Sequence, residues 1–328
     1  MSLKSNTPIP NSKPCLAQFT KNEATQLATM PIAVSVIIQA MALASKQLVF
    51  AMQSQELVDA PLAYNTSGDE QHPLDRIAHT CFVAALDKTR EVGGLVSEEA
   101  VGIVGLTNQA GKYIVALDPL DGSSNWAVHA PVGTIFSIYQ RISPPKNQID
   151  QGDVLQPGHR QIAAGYMLYS TNIVLVYGTK QGVHAFTYEP AIDAFVLTHQ
   201  TIRFPQQGPS YAINDGYFDR FPEPIRHYIR QCRNQGLVSR YSGALVADFH
   251  RHLLQGGIYL YPATQQKPNG KLRLMFECNA LAFIAEQAGG LSSNGHEPVL
   301  CMQPRELHEC IPFYIGSANM IKDLLAML

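Results

Sequence analysis

Paired cysteine chemistry is the first thing this 328-residue chain lacks. Its six cysteines (Cys15, Cys81, Cys232, Cys278, Cys301 and Cys310) are scattered, with no CxxC pair and no Cys/His metal spacing. That excludes a zinc-ribbon type of site and points to reduced thiols in a cytoplasmic protein. An excess of one charge sign is missing too: 24 Lys and Arg stand against 26 Asp and Glu, a formal charge of -2. No basic footprint is left for nucleic acid or an anionic membrane, so any anionic ligand must be held by a local site. Long apolar runs are also absent. The most apolar stretch, Pro31 to Ala44, carries Ser35 and Gln39 and falls short of the ~20 residues of a membrane span. It is expected to form a packed helix. The first 20 residues hold lysines and prolines but no apolar h-region, so no signal peptide is expected. What is present, 46% apolar and 15% charged residues, is the composition of a globular chain with an ample core.

Pattern along the chain predicts a mixed α/β protein. Residues 1–20 read as a polar arm. Helical spacing at Ile32, Val36, Ala40, Leu43 and Phe50 follows Pro31, which suits a first turn. A turn-rich loop over 53–72 precedes a second helix from Leu74 to Arg90. Short strands are expected at Gly94–Ser97, Ile103–Leu106, Tyr113–Leu117 and Gly133–Arg141, and Pro144 to Gly158 reads as a linker. Ala163–Leu168, Ile173–Tyr177, Val183–Tyr188 and Ala194–Leu197 form an antiparallel meander. The strand pattern stops around Ile202–Pro209, which divides the chain into subdomains 1–201 and 202–328. Beyond it, helices are expected at Pro222–Cys232, Ala244–His252 and Met275–Ala288, the last closed by Gly289-Gly290.

The chemistry concentrates in Tyr113-Ile114-Val115-Ala116-Leu117-Asp118-Pro119-Leu120-Asp121-Gly122-Ser123-Ser124-Asn125. An apolar strand ends in two carboxylates three residues apart. With the Leu120 carbonyl between them, Asp118 and Asp121 suit a hard divalent cation. Gly122 then lets the chain turn, and Ser123 and Ser124 offer donors at a helix start, a seat for phosphate. Glu98-Glu99, also after a strand, is costly unless solvated or metal-bound. The plain alternative is an Asx-capped turn and a solvated acidic pair. Aspartates three apart exclude the haloacid-dehalogenase pattern, and the missing acid ladder excludes an EF-hand.

Asp118-Pro119-Leu120-Asp121-Gly122-Ser123-Ser124-Asn125, followed by Gly133-Thr134-Ile135-Phe136-Ser137-Ile138-Tyr139, resembles the signature of class I fructose-1,6-bisphosphatases. The likeness continues through Asn214-Asp215-Gly216-Tyr217, Ala247-Asp248-Phe249-His250-Arg251 and Gly270-Lys271-Leu272-Arg273-Leu274-Met275-Phe276-Glu277-Cys278-Asn279. The metal motif alone is shared with inositol monophosphatases; the later blocks belong to the fructose-bisphosphatase branch. The resemblance implies a layered α/β/α/β/α sugar-phosphatase fold and hydrolysis of the 1-phosphate of fructose 1,6-bisphosphate, in gluconeogenesis or carbon fixation. It implies two or three Mg²⁺ per subunit, with Mn²⁺ as an alternative, held by Glu98, Asp118, Asp121, Glu277, the Leu120 carbonyl and Asp69. Glu98, Asp75, Glu99 and Arg273 are the implied catalytic groups. Asp121, Gly122, Ser123 and Ser124 would meet the phosphate that is cleaved, while Asn214, Tyr217, Tyr241, Tyr261 and Lys271 would hold the other one. Arg240 is expected to reach that second pocket from a neighbouring subunit, which makes a homotetramer the expectation.

Departures from the family concern control. Of the family's AMP site, Lys112-Tyr113 is present, but Pro31-Ile32-Ala33-Val34-Ser35 stands where the nucleotide phosphate would bind; the alternative placement, Asn22-Glu23-Ala24-Thr25, needs an insertion. Either way a permissive glycine is lost, and weak or absent AMP inhibition is expected. Trp126–Pro131 replaces the usual segment beside the site, and Pro73 and His79 replace the usual Lys and Asn near Asp75. No cysteine lies in Ile142–Gly158, so no thioredoxin switch is expected. Two rivals remain at this stage: action on sedoheptulose 1,7-bisphosphate, alone or in addition, and a catalytically silent regulatory paralogue.

Overall fold

The computed structural model describes residues 13–25, 30–53, 63–64, 70–145 and 148–328. In chain order, α1 (Leu16–Thr25) and α2 (Ile32–Met52) are followed by β1 (Ala63–Tyr64) and β2 (Glu70–Gln71), which pair, and by α3 (Pro73–Thr89). Then come β3 (Val92–Ser97), β4 (Ile103–Val104), β5 (Tyr113–Asp121), β6 (Val132–Gln140), a short α4 (Gln151–Val154), β7 (Gln161–Tyr169), β8 (Ile173–Thr179), β9 (Gly182–Glu189) and β10 (Ala194–His199). These eight strands, β3 to β10, form one sheet in the order β10-β9-β8-β7-β6-β5-β3-β4, antiparallel except for the β3–β5 pair.

The remainder is β11 (Ser210–Ala212), α5 (Glu223–Asn234), β12 (Val238–Ser239), α6 (Leu245–Gln255), β13 (Ile258–Tyr261), β14 (Leu272–Arg273), α7 (Asn279–Gln287), β15 (Leu291–Ser293), β16 (Cys310–Ile311), β17 (Phe313–Gly316) and α8 (Ala318–Leu325). A second sheet runs β12-β11-β13-β17-β15, and β14 pairs separately with β16.

The cores define five layers. One face of the large sheet, with Leu117, Phe136 and Met167, buries α2 and α3 through Ile37, Ile38, Met41, Phe82 and Leu86. Its other face, with Ile135, Tyr166 and Val176, meets Val246 and Phe249 of α6 and Leu281 and Ile284 of α7. Those two helices also touch Tyr259, Phe313 and Ile315 of the second sheet. The far face of that sheet packs against Ile225 and Ile229 of α5 and Ile321 of α8. This is the α/β/α/β/α order, as expected.

Four local expectations need correction. Residues 16–20 are no loose arm: α1 starts at Leu16, with Leu16 and Thr20 buried, and Cys15 bridges to Val196 on β10. The segment 144–158 is not a free linker over its described residues either. The buried Asp153 carboxylate accepts from the N–H of Ile142 and Ser143, and an Asp150–Asp153 capping box starts α4. Helix α2 has 21 residues, long and apolar enough by composition to cross a bilayer, yet half of its apolar window is buried inside the protein. Finally, the helix expected over 275–288 opens with a π-helical turn, Leu274–Cys278, before α7. Such turns mark functional sites, and this one carries Glu277.

Candidate active site

Strand β5 delivers Asp118 and Asp121 from its C-terminal end, both buried. The ladder with β6 breaks between these two residues, and Leu120 N–H turns back to the Asp118 carboxylate at 3.0 Å. Gly122 follows at φ 74°, and a Cβ there would lie 2.7 Å from Ala244 Cβ, so only glycine serves both the turn and the close approach. A 3-10 turn, Ser123–Val128, then presents the two serines.

The second half of the chain grips this corner. Asp121 accepts from the N–H of Val246 (2.7 Å) and Leu245 (3.3 Å), capping α6 with a side chain from another strand. Asn125 donates to the carbonyls of Pro131 and Ser242, and Asp248 accepts from Ser242 N–H, which fixes the loop that carries Tyr241. Spacing predicts neither the Asp121 bonds to α6 nor the Asn125 bond to Ser242, which span more than a hundred positions, and Asp248 and Asn125 stand in the motif stretches without an assigned role.

Carboxylate oxygens of Asp118, Asp121 and Glu277 lie within 4.8 Å of one another. Glu277 is steered by Arg273 N–H at 2.6 Å, and the Arg273 guanidinium meets Glu98 at 2.6 Å. Asp75 sits at the third position of α3, where it accepts from His72 N–H in a capping box and is bonded to Ser123. Burial dominates the electrostatics. It pushes Glu277 up to about 8, reinforced by Glu98 and relieved in part by Arg273. It pushes Asp121 up to about 7 despite the two N–H donors, and Asp75 up to about 7 with help from Glu99. Asp118 is raised strongly by burial, then by Glu98, Asp121 and Glu277. Acids packed this way lack enough positive charge of their own, and oxygen donors at this spacing fit a hard divalent cation.

These groups line one cavity of about 400 Å³, together with Glu99, Gly122, Ser123, Ser124, Tyr241, Tyr261 and Lys271. A second cavity, about 310 Å³, shares Tyr261 and Lys271 with it and adds Asn214 and Tyr217. The first chamber is rich in acids and the second holds Lys271, Arg220 and Lys267. Two chambers of opposite character, joined at Tyr261 and Lys271, suit a molecule with an anionic group at each end.

Not every expected residue is gathered there. Arg240 is exposed at the end of β12, its N–H on Tyr211, and lines neither chamber. Asp69 lies outside the described residues. Lys112 and Tyr113 stand at the start of β5, roughly 25 Å along the strand from Asp121. Trp126 is not an exposed surface feature; it is buried and packs on His72, at 5.0 Å between rings, just before Asp75.

Comparison with known proteins agrees over the whole length. The family described as fructose-1-6-bisphosphatase, N-terminal domain, matches residues 15–200, and its C-terminal domain counterpart matches residues 204–328. A protein of Amoebophilus asiaticus (strain 5a2) named fructose-1,6-bisphosphatase class 1 is 54% identical over 321 residues, 97% of each chain. The crystal structure of Leishmania major fructose-1,6-bisphosphatase in holo form superposes with a TM-score of 0.89 at 28% identity, over 96% of this chain and 99% of that one.

Proposed function

The chain belongs to the class I fructose-1,6-bisphosphatase family, and from that we propose how its site works. It is a phosphoric monoester hydrolase that takes D-fructose 1,6-bisphosphate to fructose 6-phosphate and phosphate. The observation that carries this reading is the buried Asp118–Asp121–Glu277 cluster, opening through Tyr261 and Lys271 into a basic chamber.

Glu98, Asp118, Asp121, Glu277 and the Leu120 carbonyl would hold two or three Mg²⁺, or Mn²⁺, which when bound screen phosphoryl charge and acidify water. Asp75 and Glu98 orient the attacking water, and the Asp75 carboxylate, which lines the same cavity, takes its proton. Glu99, beside Asp75 in the same cavity, supports that role. Arg273 and the Gly122–Ser124 turn face the phosphoryl oxygens whose charge grows in the transition state. Lys271, Tyr241, Tyr261, Asn214 and Tyr217 seat the far phosphate and so align the near one.

We divide the chain functionally into 1–201, which carries most of the acids, and 202–328, which carries the sugar-bisphosphate pocket. A homotetramer fits the exposed apolar face of α2, where Ile32 is 62% and Phe50 81% accessible, and the outward Arg240. Six free cysteines fit a reducing cytoplasm, and the reaction serves gluconeogenesis or carbon fixation. The test is phosphate release from fructose 1,6-bisphosphate over a Mg²⁺ titration; turnover that ignores both Mg²⁺ and Mn²⁺ would overturn the mechanism.

A further inference from the structure

The geometry points to His79 and His308 as positioning residues that clamp the Glu98–Glu99 turn from opposite sides; the inference rests on the metal-assisted reading above. The turn leaves the end of β3 with little backbone support, namely Glu98 N–H to Leu117 O and Ala100 N–H to Ser97 O, each 3.0 Å. Its two carboxylates face a cavity already lined by Asp75, Asp118, Asp121 and Glu277. Arg273 pairs with the Glu98 carboxylate at 2.6 Å, but the backbone of the turn from Ser97 to Ala100 needs anchors of its own.

On one side, Ser97 Oγ accepts from Glu99 N–H at 3.3 Å and lies 2.9 Å from His79 Nδ1. That hydroxyl has one proton and two acceptor lone pairs, so it bonds Glu99 N–H and the His79 ring at once, in either tautomer of the ring. His79 is one helical turn beyond Asp75 on α3, so the helix that presents Asp75 also grips the turn. On the other side, His308 Nε2 stands 3.0 Å from Ala100 O; a carbonyl only accepts, so this nitrogen donates. The His308 ring packs on Phe276, 5.2 Å between centroids, next to Glu277 in the π-helical turn, and the neighbouring Glu309 carbonyl accepts from Leu274 N–H. Each imidazole therefore ties the acidic turn to an element that carries another acid of the site. Asp75, Glu98-Glu99 and Glu277 come from three distant segments, and the two histidines make them one set.

Partners behind ligating groups are worth about 10–100-fold in metal affinity. The test is Mn²⁺ titration of the full-length enzyme, by calorimetry or electron paramagnetic resonance, alongside kcat and KM at saturating Mg²⁺. His79→Ala and His308→Ala should each bind Mn²⁺ at least about ten-fold more weakly and lose kcat, with KM for fructose 1,6-bisphosphate held within about two-fold. His79→Asn keeps an amide that can bond Ser97 Oγ in either direction, and His308→Gln keeps a donor to Ala100; both should recover most of the affinity. Alanine variants that bind Mn²⁺ as wild type does, or losses that Asn and Gln leave unrepaired, overturn the clamp. A wild type that binds no Mn²⁺ removes its premise, and so separates failure of the functional reading from failure of the clamp.

Discussion

The Asp121 carboxylate and the Val246 N–H, 2.7 Å apart, join the large sheet to the central helical layer at a residue proposed above as a metal ligand. One side chain thus has two duties: capping α6 and offering oxygen to a cation. Asn keeps the shorter bond, from Val246 N–H, through its amide oxygen, gives up the longer one from Leu245 and removes the charge. Asp121→Asn should therefore abolish Mg²⁺-dependent phosphate release while the metal-free protein melts near the wild-type temperature. Asp121→Ala should lose activity too and, without the cap, about 1–2 kcal/mol of stability. Near-normal turnover in Asp121→Asn, or in the parallel Asp118→Asn, would remove these residues from the site.

Metal-free stability should fall as pH rises through neutrality. Asp75 and Asp121 are pushed up to about 7 and Glu277 up to about 8, chiefly by burial. A carboxylate whose folded value is raised binds more protons folded than unfolded, so its favourable contribution is complete below the unfolded value near 4 and lost through the folded one. Buried His184, His250 and His252, each pushed down to about 4, work in the opposite sense up to about pH 6.5, so the net fall is expected between about pH 6.5 and 8. Melting of chelator-treated protein across that range checks this, and the rise in melting temperature on adding Mg²⁺ should be larger at pH 8 than at pH 6. A flat metal-free profile would contradict it.

Lys271 borders both chambers and is the expected anchor of the far phosphate. Lys271→Met should raise KM for fructose 1,6-bisphosphate by roughly 10–100-fold, the worth of a charge-assisted hydrogen bond. Hydrolysis of a small monophosphate ester, which has no far phosphate, should be unchanged. Equal losses on both substrates would assign Lys271 to the acid chamber instead.

AMP should inhibit weakly or not at all. Helix α2 starts at Ile32 behind Pro31 with no side-chain cap, and Glu23, from the alternative placement, is buried in a hydrogen bond with Tyr177. Steady-state phosphate release in micromolar AMP measures this; half-inhibition there would contradict it.

The contiguous chemistry was legible in the sequence. Asp118, Asp121, Gly122 and the serines share one strand end, and short apolar runs separated by turns revealed the meander that supports it. What escaped depends on distance or on small numbers of residues. Asp121 meets Leu245 and Val246 more than a hundred positions away, and no local pattern encodes that. Helix α1 and the four-residue α4 are too short for periodicity to declare. The π-helical turn that aims Glu277 has the same apolar spacing as an ordinary helix start. In the sequence His79 stands out only as a departure from the family near Asp75 and His308 not at all; Ser97 and Ala100 give them meaning.

Helices α6 and α7 belong by sequence to the second half, yet they supply the cover for Ile135, Tyr166 and Val176 of the large sheet. The two halves are therefore not independent folding units. A fragment ending near residue 201 would expose that sheet face to water, and its complement would expose the matching side of both helices. The acid cluster closes only when Asp121 from one half meets α6 and Glu277 from the other. The acid cluster therefore needs both halves packed together, and neither half alone can assemble it.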